Sequence, residues 1–392
     1  MLLLPITMAV MGISVLTPVV PLLLAQFKDV PYHDYLVIGG ILTMPAIWVL
    51  LFSPVAGWMA DRLGRRSLLV TAMIIYAFVG ILPAFLDNLY AIIASRVAVG
   101  ICESIVMTVS TTLISDYYTG RARERWLASQ TAVASVSALG IIYLGGQLGA
   151  AHGWRGPFYL YLYSLPLAFC VLRTIWEPLP AALSTDSGVA EDVRYRVLPR
   201  ARIFGICAIT LLASVSFYTV ITKNAEALVV LGVSDPAEIG KLTMLASIGV
   251  PLGTFVFWGV SRLPIGWLLF MDFALVGLGF TWMGLAVDPV SYAWGSFFNQ
   301  IGCGLVLPTM LVWATRGLAY AIRGRVNGIW QAAFAIGQFL SGMVVTLLSK
   351  GLGGLLPTLA VMGKVILVFA VIAAIAGVAW QRYSPPKELS LS

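Results

Sequence analysis

The chain has 392 residues, 60% of them hydrophobic and 10% charged, with a net charge of +7. Soluble domains carry about 25% charged residues, so this composition excludes a soluble fold, and cations scattered over short loops without a continuous basic face exclude a nucleic-acid partner. The four cysteines, Cys102, Cys170, Cys207 and Cys303, lie in separate apolar runs without CxxC spacing, which argues for free thiols over a metal centre or a disulfide framework.

Apolar runs long enough to span a bilayer, about 17 to 25 residues each, fall near 3–26, 36–56, 68–86, 89–115, 127–149 and 156–176. A second set falls near 202–222, 240–260, 267–286, 291–315, 327–349 and 356–381. The expectation is an all-α integral membrane protein of about twelve helices. The first run lacks a basic flank and a small-residue cleavage site before Lys28, so it is expected to be retained as a helix. Both histidines, His33 and His152, fall between runs, where they cannot serve an intramembrane proton relay.

Short cytoplasmic loops retain Lys and Arg. With both termini on one side, that side holds sixteen of them, and the opposite loops hold five: Lys28, Arg155, Lys223, Lys241 and Lys350. The termini are therefore expected in the cytoplasm, in the inner membrane of a bacterium. The stretch 177–200, with Pro178, Pro180, Gly188 and Pro199 among mixed charges, differs from its surroundings and reads as a cytoplasmic linker. It divides the chain into six-helix bundles at 1–176 and 201–383, followed by a short tail at 384–392. The halves echo each other at a separation of 200: Trp58, Arg62 and Leu63 stand opposite Trp258, Arg262 and Leu263, and Arg123 and Arg125 opposite Arg323 and Arg325.

The turn Gly57-Trp-Met-Ala-Asp61-Arg62-Leu-Gly64-Arg65-Arg66 packs four charges between two apolar runs. Such a cluster is costly in hydrocarbon, so it marks a solvated turn. Gly57 is expected to let two helix backbones approach, Gly64 to permit an unusual turn geometry, and Asp61 to cap the next helix or pair with an arginine. The pattern Gly-x-x-x-Asp-Arg-x-Gly-Arg-Arg resembles the loop between the second and third helices of the major facilitator superfamily. The resemblance implies two pseudo-symmetric bundles that rock about a midplane site. It also implies a cytoplasmic gate of Gly57, Asp61, Arg62, Gly64 and Arg65 that closes against partners such as Asp116 and Arg121 to Arg125. In the second half Ser261 stands where Asp61 stands in the first, so a symmetric gate is not expected.

Within the fourth run, Arg96 and Glu103 are seven residues apart, nearly two turns, and so share a helix face about 10 Å apart. A carboxylate that gains and loses a proton in a cavity of alternating access is a coupling device; the alternatives are a structural ion pair or a residue facing a wet crevice. The surrounding Arg96-Val-Ala-Val-Gly100-Ile-Cys-Glu103 is similar to the Arg-x-x-x-Gly-x-x-Glu pattern of facilitator branches that include organic-anion symporters and spinster-like lipid transporters. That resemblance implies roles for Arg96 and Glu103 in substrate binding or proton coupling. The first run has no acidic residue, so coupling would rest on Glu103 alone. The sequence Gly140-Ile-Ile-Tyr-Leu-Gly145-Gly146-Gln-Leu-Gly149 partly resembles the glycine-rich motif of facilitator antiporters, but lacks its Gly-Pro step.

Gln130, Asn299, Gln300, Trp330 and Gln331 are candidates for lining a substrate cavity, or for bonding neighbouring helices together. Asp272 is expected near the cytoplasmic surface or Arg262. No nucleotide-binding loop and no His-Glu-x-x-His or Gly-x-Ser-x-Gly motif is present. The expected function is thus secondary active transport of a small organic molecule, proton-coupled and without a cofactor, by a monomer among membrane lipids. Export of an amphipathic compound is favoured over uptake of an organic anion with Arg96 or Lys223 as countercharge; an enzyme or a sensor is the remote alternative.

Overall fold

A computed structural model of the protein describes residues 1–177, 200–315 and 320–383. The expected tail and all but the ends of the expected linker lie outside them, as does Arg316. Every regular element among the described residues is helical. The bilayer demands this, because hydrocarbon offers amide groups no partners and a helix satisfies its own.

The first run is a broken helix. Its opening segment α1 (Ile6–Ser14) passes through a 3-10 turn at Thr17–Val19 and resumes as α2 (Val20–Gln26). Pro18 and Pro21 explain the break, since neither can donate a helical hydrogen bond. A short α3 (His33–Tyr35) and a π turn at Leu36–Leu42 lead into α4 (Met44–Leu63). Then follow α5 (Arg65–Ile81), α6 (Leu89–Tyr117) and α7 (Gly120–His152), and after a 3-10 segment at Gly153–Tyr163 comes α8 (Ser164–Thr174). The second half contains α9 (Arg200–Val230), α10 (Pro236–Ser247), α11 (Gly249–Val260), α12 (Ile265–Leu285), α13 (Pro289–Thr315), α14 (Tyr320–Gly351) and α15 (Leu355–Tyr383).

Among the described residues ten stretches are long and apolar enough to cross a membrane. Two of the twelve expected runs account for the difference. The fifth and sixth merge into one continuous stretch, Gly120–Thr174. The tenth corresponds to the uninterrupted helix α13, which is not among the ten.

The 200-residue echo extends to element boundaries. The helices α5 and α6 start at 65 and 89, and α12 and α13 start at 265 and 289. Two of these starts share a cap: Asn88 Oδ1 accepts from the amides of Tyr90 (2.9 Å) and Ala91 (3.3 Å), and Asp288 Oδ1 from those of Val290 (3.0 Å) and Ser291 (2.9 Å). An Asn or Asp oxygen satisfies amides that the first helical turn leaves open.

The chain packs as two compact units, one spanning Met1–Leu245 with Gly317–Leu348 and the other Ala246–Arg316 with Ser349–Ser392. In the first unit α9, α10 and α14 pack with α1 to α8. Gly145 faces the backbone of Val15, Gly149 faces Val19, and a Cβ on Gly146 would lie 2.9 Å from the Gly240 Cα of α10. The glycine-rich end of α7 therefore serves close helix contact. On the same unit, the Thr43 hydroxyl donates to the Phe339 carbonyl of α14 at 3.2 Å. Toward the other end of α7, Arg121, Arg123, Arg125, Ser129 and Thr131 are exposed.

In the second unit α12 packs against both α13 and α15. Phe273 meets Phe369 edge to face at 4.9 Å, and Phe257, Leu268 and Leu305 form a buried cluster. Lys223 departs from its expected place in an outer loop. It lies inside α9, two turns from the end, with its side chain 2% exposed and its Nζ 2.5 Å from Glu226 Oε2. A buried ammonium needs such a partner.

Candidate functional site

Four elements converge on Arg96 and Glu103. Both residues lie on α6, and both are buried. The guanidinium of Arg96 has three separate acceptors: Nε donates to the Ile41 carbonyl at 3.0 Å, Nη1 to the Tyr161 hydroxyl at 2.8 Å, and Nη2 to the Gly12 carbonyl at 2.6 Å. The Tyr161 ring also lies 5.3 Å from the guanidinium carbon. Ile41 is available because Pro45, four residues on, has no amide to donate to its carbonyl. Gly80 supplies the room for Tyr161: a Cβ there would run into the tyrosine ring.

Glu103 is held differently. Its carboxylate packs against Gly12, where a Cβ would collide with Oε1, so the absent side chain of α1 makes the space. The Tyr76 hydroxyl donates to the Met8 carbonyl at 2.8 Å and lies 3.3 Å from Glu103 Oε1. Tyr76 and Tyr161 in turn lie with ring centroids 5.1 Å apart. Among the described residues Arg96 and Glu103 form no direct ion pair. The reading of the two as a structural salt bridge is therefore replaced by a network: a fixed cation bound to two carbonyls and the Tyr161 hydroxyl, and a carboxylate set against the Gly12 backbone and the Tyr76 hydroxyl. The arrangement leaves the carboxylate free to change its charge without breaking the contacts of the cation.

The Gly57–Arg66 turn is the second constellation. Gly64 sits at φ 84°, ψ 137°, a backbone region that side chains disfavour. Arg65 bridges Asp61, at 3.4 Å, and Asp116 at the end of α6. Glu177, just beyond α8, caps α5: its Oε1 accepts from the Arg65 amide at 2.6 Å and its Oε2 from the Arg66 amide at 2.8 Å. A carboxylate there satisfies open amides and complements the positive end of the helix dipole. The Arg66 guanidinium donates to the Leu172 carbonyl, and Arg62 lies over the Trp58 ring at 4.3 Å. Two expectations change. Gly57 makes no close approach, since a Cβ there would meet only Thr108, at 4.0 Å. Arg121, Arg123 and Arg125, expected among the partners of the turn, are exposed on α7, and the arginine that Asp61 pairs with is its neighbour Arg65.

The cavity candidates separate. Gln130 is buried and accepts from the Thr111 hydroxyl at 3.3 Å. Trp330 stacks on Phe334 at 5.9 Å, and Phe334 also meets Phe217 (6.2 Å) and Tyr218 (5.6 Å), so one aromatic cluster joins α9 and α14. Gln331 is exposed beside it. In the second unit, Gln300 is buried, with no partner for its Oε1 among the described residues. Asn299 bonds two helices together, its Nδ2 donating to the Val276 carbonyl at 3.1 Å and its Oδ1 lying 3.4 Å from Cys303 Sγ. Asp272 is fully buried, remote from the surface position expected for it.

Sequence reasoning missed Gly12, Tyr76, Tyr161 and Glu177. The signal for Glu177 was present, an acid directly after an apolar run on the same face as Arg65 and Arg66. For Tyr161 it was weak: Tyr159, Tyr161 and Tyr163 alternate, and only the 3-10 path of the segment selects which one meets Arg96.

Comparisons with known proteins agree with this architecture. The family model described as Major Facilitator Superfamily matches residues 2–342. A candidate multidrug resistance protein, MdtD, of Pectobacterium carotovorum is 22% identical over 369 residues, covering 86% of this chain and 74% of its own. The class B tetracycline resistance protein of Escherichia coli is 23% identical over 363 residues, covering 86% and 81%. Among solved structures, a bacterial homolog of the human lysosomal transporter Spinster, inward-facing and unoccupied, superposes with a TM-score of 0.77 at 17% identity and covers 98% of each chain. With the family matched across most of its length, the chain belongs to the Major Facilitator Superfamily and is a multi-pass membrane transporter.

Proposed function

We propose that the protein exports amphipathic organic compounds in exchange for protons, with Glu103 as the coupling carboxylate. The observation that carries this reading is the Glu103 environment: a buried carboxylate that forms no ion pair among the described residues, set against the backbone of the first helix and within reach of the Tyr76 hydroxyl. Charge in such a place is costly unless compensated, so proton gain and loss there is a lever that differs between the two faces of the membrane. The aromatic cluster of Phe217, Tyr218, Trp330 and Phe334 suits an amphipathic ligand, and the resistance proteins among the relatives point the same way.

The geometry disfavours organic-anion uptake. Both expected countercharges are engaged, Arg96 by two carbonyls and a tyrosine and Lys223 by Glu226. The turn at Gly57–Arg66, with Asp61, Arg65 and Asp116, is proposed as the cytoplasmic gate, and the contacts of Thr43 with Phe339 and of Gly146 with Gly240 as the closure of the opposite face. Under this proposal both termini lie in the cytoplasm, the membrane is a bacterial inner membrane, and the pseudo-symmetric halves at 1–176 and 201–383 form a monomer.

The test is transport in proteoliposomes under an imposed pH gradient, with ethidium, tetraphenylphosphonium and tetracycline in one panel and benzoate and other organic anions in a second. Gradient-driven movement of a compound from the first panel supports the proposal. Movement confined to the anions overturns it.

A further inference from the structure

A second buried carboxylate lies outside the Glu103 network. Asp272 is on α12, seven residues or about 10 Å past its first residue, and is fully buried. Among the described residues neither of its carboxylate oxygens has a hydrogen-bond partner of good geometry, and the hydroxyl of Thr309 on α13, also fully buried, likewise has none. The two are neighbours: the Thr309 hydroxyl is the polar side chain beside the Asp272 carboxyl, short of a hydrogen bond of good geometry. The helices are in close contact here, because a Cβ on Gly302 would lie 2.8 Å from the Asp272 carbonyl.

No described group neutralises this carboxylate. From α13 the titratable side chain facing it is Cys303, which is buried. From α15 the contact beside it is Phe369 on Phe273, and Lys364 is exposed, as is Arg262 before α12. Neither cation forms an ion pair with Asp272. An isolated anion in hydrocarbon is strongly disfavoured and takes up a cation. A carboxyl that holds a proton donates it to a hydroxyl oxygen and satisfies both groups at once.

We infer that Asp272 and Thr309 form a second proton-binding site, in the second unit, which loads and releases a proton during the transport cycle. The inference rests on the reading of the protein as a proton-coupled transporter. It adds that the cycle carries protons at two carboxyls, one on α6 and one on α12.

The test needs no transported compound. The full-length protein, purified in detergent and carrying isotope-labelled aspartate, is titrated with pH while the carbonyl stretch of protonated carboxylic acids is followed by infrared difference spectroscopy. The expected result is a titrating aspartic acid band that is lost in Asp272→Asn and retained in Glu103→Gln. Thr309→Val, which keeps the shape but removes the acceptor, should shift that band and serves if Asp272→Asn does not fold. A labelled band that does not change with pH, or no such band, overturns the second site and leaves a fixed structural acid. A band abolished by sodium at constant pH overturns the proton in favour of a metal cation. Loss of only the unlabelled glutamic acid signal in Glu103→Gln reports on the first carboxyl separately, so the two readings fail independently.

Discussion

The helices α6 and α13 begin 200 residues apart and occupy matching places in the two halves of the sequence, yet only one of them carries charge at its centre. Where α6 has Arg96 and Glu103, α13 has Ser296 and Cys303. The same holds one element earlier, where Asp61 of the first turn corresponds to Ser261 of the second, whose hydroxyl donates to the Trp258 carbonyl at 3.2 Å. Repetition thus set the scaffold, down to the Asn88 and Asp288 caps, while the buried charges follow no such repeat: Arg96 and Glu103 share α6, whereas Lys223 lies on α9 and Asp272 on α12. A carboxylate is tolerated in α6 because Gly12 clears a space for it and Arg96 fixes the surrounding carbonyls; α13 meets α12 at Gly302 with no such space.

The largest effect expected from breaking this contrast is on stability. Arg96→Ala removes three hydrogen bonds to a buried cation, each worth about 1.5–3 kcal/mol, and orphans two carbonyls and a hydroxyl. A loss of about 3 kcal/mol or more should appear as a marked fall in thermal midpoint. Ser296→Ala, at the matching position, removes a buried hydroxyl that has no partner and should leave the midpoint unchanged or raise it. Equal losses in the two variants would erase the asymmetry. Gly12→Ala should come next: the new methyl collides with the Glu103 carboxylate, at a cost of about 1–3 kcal/mol for overpacking, and gradient-driven transport should fall further than stability does. Normal coupling in that variant would show that the carboxylate need not sit against α1.

Glu177→Ala uncaps α5 and should cost about 1 kcal/mol, read in the same thermal assay. The smallest effect on stability belongs to Asp61→Ala. Its side chain is 71% exposed and its pairing with Arg65 is worth at most about 1 kcal/mol. Its consequence should appear instead in distance measurements across the cytoplasmic side, as a shifted balance between inward- and outward-open forms. An unchanged balance would remove Asp61 from the gate.

Much of the scaffold was legible because hydrocarbon imposes its own rules. Apolar runs marked the helices, and the charged turn at Gly57–Arg66 marked a solvated end, since charge placement in a membrane is costly. The site was legible only in its charges. Arg96 and Glu103 stood out as ions in an apolar run, whereas Tyr76 and Tyr161 are ordinary residues there and acquire a role only through tertiary approach. Gly12 and Gly80 act by what they lack, and nothing local distinguishes them from the glycines that pack α7. Lys223 was read as a loop cation because the apolar pattern stops near it, but α9 continues for two more turns once Glu226 neutralises the ammonium. Asp272 was expected near water because charge rule and position both suggested it; its burial depends on the close contact of α12 with α13 and α15.

Glu103→Gln tests the coupling assignment most directly, because it preserves shape and hydrogen bonding while removing the titratable proton. In proteoliposomes, with a compound that the wild-type protein moves, accumulation driven by a pH gradient should be abolished, while exchange of that compound across the membrane at equal pH should persist. Gradient-driven accumulation at the wild-type level in the Glu103→Gln protein would contradict the assignment and leave the α6 carboxylate as a structural group.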